Sequence, residues 1–257
     1  MRVNTAKKLL KEGKPAIGTW MNFASVGAAE MMGHAGWDWV VVDTEHGAIG
    51  IETLASMFIA LGTTPTIPMC RVPWNDPTEI KRVLDAGSYG VVIPMVNSPA
   101  EAEAAVRACK YPPEGIRSAG GGRWRYWAGP DYLEHANEEI LVVIQIEHIE
   151  AVNNVREILS VPGVDACFIG PNDLAWSMGL QFATGEARKP HAEAIQEVLR
   201  GAKDVGVPAG IHARSPEEVV ERIEQGFQFI ACVNEASFML NGAEAAVKLI
   251  RSKAKMG

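Results

Sequence analysis

Residues 66–96 read TIPMCRVPWNDPTEIKRVLDAGSYGVVIPMV. The stretch opens and closes on short apolar runs, 66–72 and 90–96, with an amphipathic segment between them. Asp76-Pro77 reads as a helix N-cap followed by proline at the first helical position, where its missing N–H costs nothing. Gly87 stands where that helix should stop. Continuous apolar runs of this kind suit strands buried on both faces of a parallel sheet. The unit is strand, helix, strand.

The same unit recurs outward in both directions. Strand runs are predicted at 15–22, 38–43, 141–147, 164–170, 207–212 and 228–234, giving eight with the two above. Amphipathic helical stretches alternate with them, at 25–36, 51–62, 98–110, 149–159, 190–206, 215–226 and 242–255. Ser98-Pro99 with Glu101 reads as a capping box, and Ser215-Pro216 as a second cap-and-proline start. Gly36, Gly206 and Gly226 fall at helix ends. Eight strand–helix repeats in 257 residues predict an α/β fold, a (β/α)8 TIM barrel, as a single domain over 1–257. An open doubly wound sheet is the second architecture. The lack of a GxGxxG after the first strand weakens its dinucleotide-binding version.

Two connections break the rhythm. Residues 111–139 carry three arginines, three consecutive glycines and Trp124, Tyr126 and Trp127. They read as an active-site loop or subunit contact, with a short helix near 130–136. Residues 177–190 form a second, weaker insertion.

Composition narrows the function classes. Hydrophobic residues make up 47% and charged residues 21%, a globular mix. A net charge of −7 argues against a nucleic-acid partner, which needs a basic face. No apolar run approaches the ~18–20 residues of a membrane helix, and no signal-peptide core is visible near the start. Cys70, Cys109, Cys167 and Cys232 are widely spaced without a CxxC and read as buried free thiols. A cytoplasmic location is expected.

In a barrel of this kind, chemistry collects at the C-terminal ends of the strands. Polar residues sit at seven of the eight predicted ends: Trp20 and Asn22, Asp43 through Gly47, Arg71, Gln145 with Glu147, Gly170 through Asp173, His212, and Asn234. Glu147 and Asp173 follow adjacent, nearly uncharged strands. Two converging carboxylates either share a proton or bind a cation between them. Oxygen ligands suit Mg²⁺, Mn²⁺ or a similar ion. His46 is a natural proton carrier, with Asp85 as an orienting partner. Arg71 offers a planar fork to a carboxylate or a developing enolate oxygen. His212 is expected to line the substrate site. His34, His135, His148 and His191 read as ordinary helix or loop residues. Lysines avoid the strand runs, which disfavours Schiff-base chemistry.

Five segments together resemble one family: VVVDTEHG (40–47), RVPWNDPTEIKRVLDAG (71–87), YPPEGIRS (111–118), IQIE (144–147) and FIGPNDLA (168–175). The resemblance is to the HpcH/HpaI family, the divalent-metal-dependent class II pyruvate aldolases of the phosphoenolpyruvate/pyruvate barrel superfamily. It implies a lyase that reversibly cleaves 4-hydroxy-2-oxo acids to pyruvate, or a related 2-oxo acid, and an aldehyde. It implies Glu147 and Asp173 as ligands of a divalent cation (Mg²⁺, Mn²⁺, Co²⁺ or Zn²⁺). It further implies Arg71 on the keto or enolate oxygen, and His46 with Asp85 as an acid–base dyad. Asp43, Trp20 and Gln145 would support the site, and the amides around Asn172 and Asp173 would hold the substrate carboxylate. Arg117 and Arg123 would stand at family loop positions. A homohexamer, a trimer of dimers with the last helix exchanged, is also implied. The chain departs from the pattern at Ala175, where Ser is frequent, and at Ile211-His212-Ala213-Arg214, where the family is often hydrophobic. A polar wall there suggests a small or hydroxylated aldehyde. Another enzyme of the superfamily, an acyl-CoA lyase or a phosphonomutase-like enzyme, is the alternative, and a non-catalytic 2-oxo-acid-binding protein is a third reading.

Overall fold

Every predicted apolar run is a strand in the computed structural model, which describes residues 1–254. The strands are β1 (Ala16–Met21), β2 (Trp39–Asp43), β3 (Ile67–Arg71), β4 (Gly90–Ile93), β5 (Leu141–Ile146), β6 (Ala166–Ile169), β7 (Ala209–Ala213) and β8 (Phe229–Asn234). They pair in parallel in sequence order, and β8 closes on β1. The result is a (β/α)8 barrel rather than an open sheet.

The helices are α1 (Thr5–Lys11), α2 (Val26–His34), α3 (Ile51–Leu61), α4 (Pro77–Ala86), α5 (Pro99–Cys109), α6 (Trp124–Trp127), α7 (Tyr132–Glu139), α8 (Ile149–Asn153), α9 (Val155–Leu159), α10 (Pro171–Ser177), α11 (Lys189–Val205), α12 (Pro216–Gln225) and α13 (Glu235–Lys253). The caps are those expected. Asp76 accepts from the amides of Thr78 and Glu79 at 2.7 and 3.2 Å. Ser98 and Glu101 close a capping box, and Ser215 accepts from Glu218 N. The helix expected over 149–159 is broken at Asn154 into α8 and α9. The last helix starts at Glu235, earlier than expected, and its final predicted residue, Lys255, lies outside the described residues. Helix α1 was not anticipated, although Asn4 caps it by accepting from Lys7 N at 3.0 Å.

Strand alternation decides what enters the barrel. Trp39, Val41 and Asp43 share one side of β2, and Ile67, Met69 and Arg71 share one side of β3. An aromatic column fills the interior from floor to mouth. Trp39 stacks on Phe229 at 4.1 Å, Phe229 meets Phe168 at 6.0 Å, Phe168 meets Trp20 at 5.4 Å, and Trp20 stacks on His212 at 6.4 Å. The barrel interior is therefore plugged below its mouth.

The segment 111–139 is not an active-site loop of its own chain. It joins the end of α5 to the start of β5, so it runs across the N-terminal face, opposite the mouth. There Arg117 is buried, lies over Tyr111 at 4.4 Å and donates to Tyr132 Oη at 3.0 Å. The 177–190 insertion contains one 3-10 turn, Gly185–Arg188. All four cysteines are free and buried. Among the described residues no helix is long and apolar enough to cross a membrane.

Candidate active site at the barrel mouth

Asp43, the last residue of β2, organises one half of the mouth. Its Oδ1 accepts from Arg71 Nε at 2.9 Å and from the amides of Glu45 and His46 at 3.1 and 3.3 Å. Its Oδ2 accepts from Arg71 Nη2 at 2.6 Å and Asn22 Nδ2 at 3.1 Å. The bidentate pair fixes the plane of the guanidinium. Arg71 Nη1 lies 3.0 Å from Glu45 Oε2, and the guanidinium sits 4.9 Å above the Trp20 ring. Three contacts leave further N–H groups of the fork for a ligand. Asn22 is held in turn. Glu235, buried at the start of α13, accepts from the amides of Asn22 and Phe23, both at 2.6 Å.

Glu147 anchors the other half, one residue beyond β5 and 3% exposed. Its Oε1 accepts from Met95 N at 2.9 Å, and its Oε2 from the Gln145 amide. Met95 has φ of 54°, a left-handed conformation uncommon outside glycine, and it is this residue whose N–H meets Glu147. Burial pushes the Glu147 carboxyl up to about 7; the Met95 and Gln145 hydrogen bonds pull back, and the charges of Glu45 and Asp173 push further up. Burial likewise raises the Glu45 carboxyl, with Arg71 opposing. Asp173 is exposed in the first turn of α10, with Asn172 beside it.

The two halves border a cavity of about 1010 Å³. Trp20, Asp43, His46, Arg71, Gln145, Asn172, Asp173 and His212 all line it. Glu147 lies just behind Gly170, which is also in the wall; a Cβ on Gly170 would stand 2.6 Å from Glu147 Oε2. Only glycine leaves that carboxylate in place. His46 is exposed toward the opening. Burial and the nearby Arg71 charge lower the His212 imidazole to about 4, against the pull of Glu218 and the Val233 backbone. Its ring is therefore neutral at ordinary pH.

Asp85 is not in this cavity. It occupies the last turn of α4, at the opposite end of the barrel, where its Oδ1 accepts from Arg117 Nη2 at 2.9 Å and its backbone carbonyl from Arg123 N at 2.9 Å. The expected His46–Asp85 dyad is therefore absent within one chain. Sequence reasoning also missed the Met95 amide and the Glu235 carboxylate. The former depends on a backbone twist that no residue type announces, and the latter on where α13 begins.

Among the described residues, no cluster of three or more His, Cys, Asp or Glu side chains forms a ready metal cage. The chain offers two carboxylates, Glu147 and Asp173. Their mutual repulsion, the raised Glu147 carboxyl and the partnerless buried Gln145 Oε1 fit a hard cation completed by substrate and water oxygens.

A family model described as HpcH/HpaI aldolase/citrate lyase matches residues 16–241. A 4-hydroxy-2-oxo-heptane-1,7-dioate aldolase of Escherichia coli (strain Crooks) is 37% identical over 248 residues, covering 94% of this chain and 93% of the relative. An HpcH/HpaI aldolase/citrate lyase family protein from Burkholderia cenocepacia superposes with a TM-score of 0.90 at 34% identity, over 97% of this chain and all of that one. An HpcH/HpaI aldolase from Desulfitobacterium hafniense gives 0.84 at 29% identity, over 95% of this chain and 96% of that one.

Proposed function

We infer the reaction from one premise: the chain belongs to the HpcH/HpaI aldolase/citrate lyase family and is a carbon–carbon lyase, an aldolase. Its substrates are proposed to be 4-hydroxy-2-oxo acids, cleaved reversibly to pyruvate, or a related 2-oxo acid, and an aldehyde. The observation that carries this reading is the buried Glu147 carboxylate beside Asp173, facing an Arg71 fork locked by Asp43. A divalent cation held by Glu147 and Asp173 would supply Lewis-acid stabilisation of the enolate oxygen. Which of Mg²⁺, Mn²⁺, Co²⁺ or Zn²⁺ serves is set by supply as much as by these ligands.

The protein's own groups do the rest. The amides at Asn172 and Asp173, at the N-terminus of α10, take the substrate carboxylate. Arg71 donates to the keto oxygen, and its charge counters the enolate as the C3–C4 bond breaks. His46 accepts the C4 hydroxyl proton; the electron pair of the broken bond passes to C3, and the carbonyl of the departing aldehyde forms at C4. Protonation of C3 then releases pyruvate. Trp20 stacks against Arg71 and shields it from water.

Asp85 is proposed to serve His46 of a second copy, since its own mouth is out of reach. Support comes from the loop around it, where Arg117 Nε, Arg123 Nη1 and Trp124 Nε1 are buried without partners. Helix α13 offers the apolar surface for assembly. Of its residues only Glu235 is buried, while Met239, Leu240, Val247, Leu249 and Ile250 stand exposed at 48–64%. A homohexamer with this helix exchanged between copies fits. The chain is taken as one domain over 1–257, and its four buried free thiols suit the reducing cytoplasm.

The test is pyruvate release from a panel of 4-hydroxy-2-oxo acids with added Mn²⁺. Release is expected to vanish with EDTA and in Glu147→Ala. Full turnover in chelator overturns the reading.

A further inference from the structure

We propose that His212 is a specificity-determining residue that selects aldehydes bearing a hydroxyl on the carbon next to the carbonyl. The inference rests on the aldolase reading above and deepens it.

Among the polar groups of the mouth left once the 2-oxo acid is assigned to Glu147, Asp173, Gln145 and Arg71, two stand against each other. One is the Trp20 indole N–H, buried and without a partner. The other is the His212 imidazole, stacked on Trp20 with ring centroids 6.4 Å apart and planes 26° from parallel. Both line the cavity, His212 from β7 and Trp20 from β1. β7 is flanked by β6, which leads to Asp173, and by β8, so the wall they form adjoins the oxo-acid site. A hydrocarbon chain of the incoming aldehyde would cover the Trp20 N–H and the second His212 ring nitrogen and leave them unpaired. With its N–H turned to the Val233 backbone carbonyl, the neutral imidazole leaves one nitrogen lone pair, which takes a hydrogen bond from a hydroxyl. A site built to bond a hydroxyl rejects the analogue that lacks it, because its own polar groups are then desolvated without a partner. Burial, with the Arg71 charge adding to it, keeps the ring neutral, so the preference does not depend on protonation at ordinary pH.

The experiment is a competition in the synthetic direction. Pyruvate and Mn²⁺ are supplied with glycolaldehyde and acetaldehyde together, then with 2-hydroxypropanal and propanal together, and the product ratio is read. Both aldehydes of a pair draw on the same enolate, so changes in enolate formation cancel. The wild type is expected to favour the hydroxylated partner. His212→Leu should lower that preference roughly tenfold, the worth of one hydrogen bond. His212→Gln, which keeps a donor and an acceptor, should restore part of it. No preference in the wild type, or an unchanged ratio in His212→Leu, overturns the proposal. Exchange of the pyruvate methyl protons in D₂O by the wild type with Mn²⁺ separates the two levels. If exchange persists while the ratios fail, only the His212 role falls; if exchange itself is absent, the aldolase reading falls and takes this one with it.

Discussion

Glycine at 170 has a reason that is entirely local. Its missing side chain leaves the Glu147 carboxylate where Met95 and Gln145 hold it, whereas a Cβ would stand 2.6 Å from Oε2 and 3.0 Å from the Glu147 Cβ. Gly170→Ala is expected to keep the fold and weaken Mn²⁺ binding by about tenfold or more, the size usual for disturbing the support of a ligand. Titration calorimetry beside a thermal melt checks both halves, and unchanged affinity would contradict the placement of Glu147. His212 carries a second residue-scale consequence. Its folded pKa is about 4, against an ordinary value near 6.5. Well above pH 6.5 the ring is neutral in both states and contributes no slope. As the pH falls from 6.5 toward 4 the unfolded chain takes up a proton that the folded one refuses. The wild type should therefore lose stability there relative to His212→Gln, by at most about 3 kcal/mol at the acid end. Urea denaturation at pH 7, 5.5 and 4.5 shows the divergence, and parallel curves would refute it.

Helix α4 shows what an element owes to its two ends. Asp76 and Pro77 start it, and Gly87 stops it at a φ of 115°. Gly87→Ala forces a side chain into the left-handed region and sets its Cβ 2.6 Å from Arg123 Nη1. The expected cost exceeds ~1 kcal/mol, more than Ser98→Ala, which removes one half of a capping box for about 1 kcal/mol. Equal midpoints in urea for the two variants would count against the seating of Arg123. These punctuation residues are why the barrel was legible in the sequence. Apolar runs, caps and stop glycines are short-range signals, and each acts on the residues beside it. The site was legible to the extent that it depends on strand ends: Asp43, His46, Arg71, Gln145, Asp173 and His212 all reach the mouth because a strand delivers them. Glu147 follows the same rule, set one layer back. What escaped was long-range. Asp85 and the 111–139 segment carry active-site-like chemistry, but chain direction sends them to the other end of the barrel. Met95 entered through a backbone angle, and α13 began earlier than its apolar periodicity because Asn234 caps it by accepting from Ser237 N.

A whole barrel is a thick barrier as well as a scaffold, and its thiols report on that. Burial pushes Cys70, Cys109 and Cys167 up to about 12, so a disulfide reagent at pH 8 should label them only as fast as the barrel opens. Labelling within seconds would mean a looser interior than the one described. The same thickness separates His46 from Asp85. If a second copy joins them, each site draws His46 from one chain and Asp85 from another. Coexpressed in equal amounts, His46→Asn and Asp85→Asn subunits then assemble some sites with both groups intact. With random pairing, half the sites have a good His46 and half of those meet a good Asp85, so the mixture should recover about one quarter of wild-type turnover. Each variant alone should stay near the background. Asp85→Asn keeps an oxygen for Arg117, so its fold should survive, which a melt confirms. If the two groups instead acted within one chain, every chain in the mixture would carry one broken dyad and no activity would return. Replacing Leu249 and Ile250 by Asp on α13 adds the converse: subunits that no longer assemble should lose turnover with every mouth residue untouched, and a fully active monomer in sedimentation would refute the shared site.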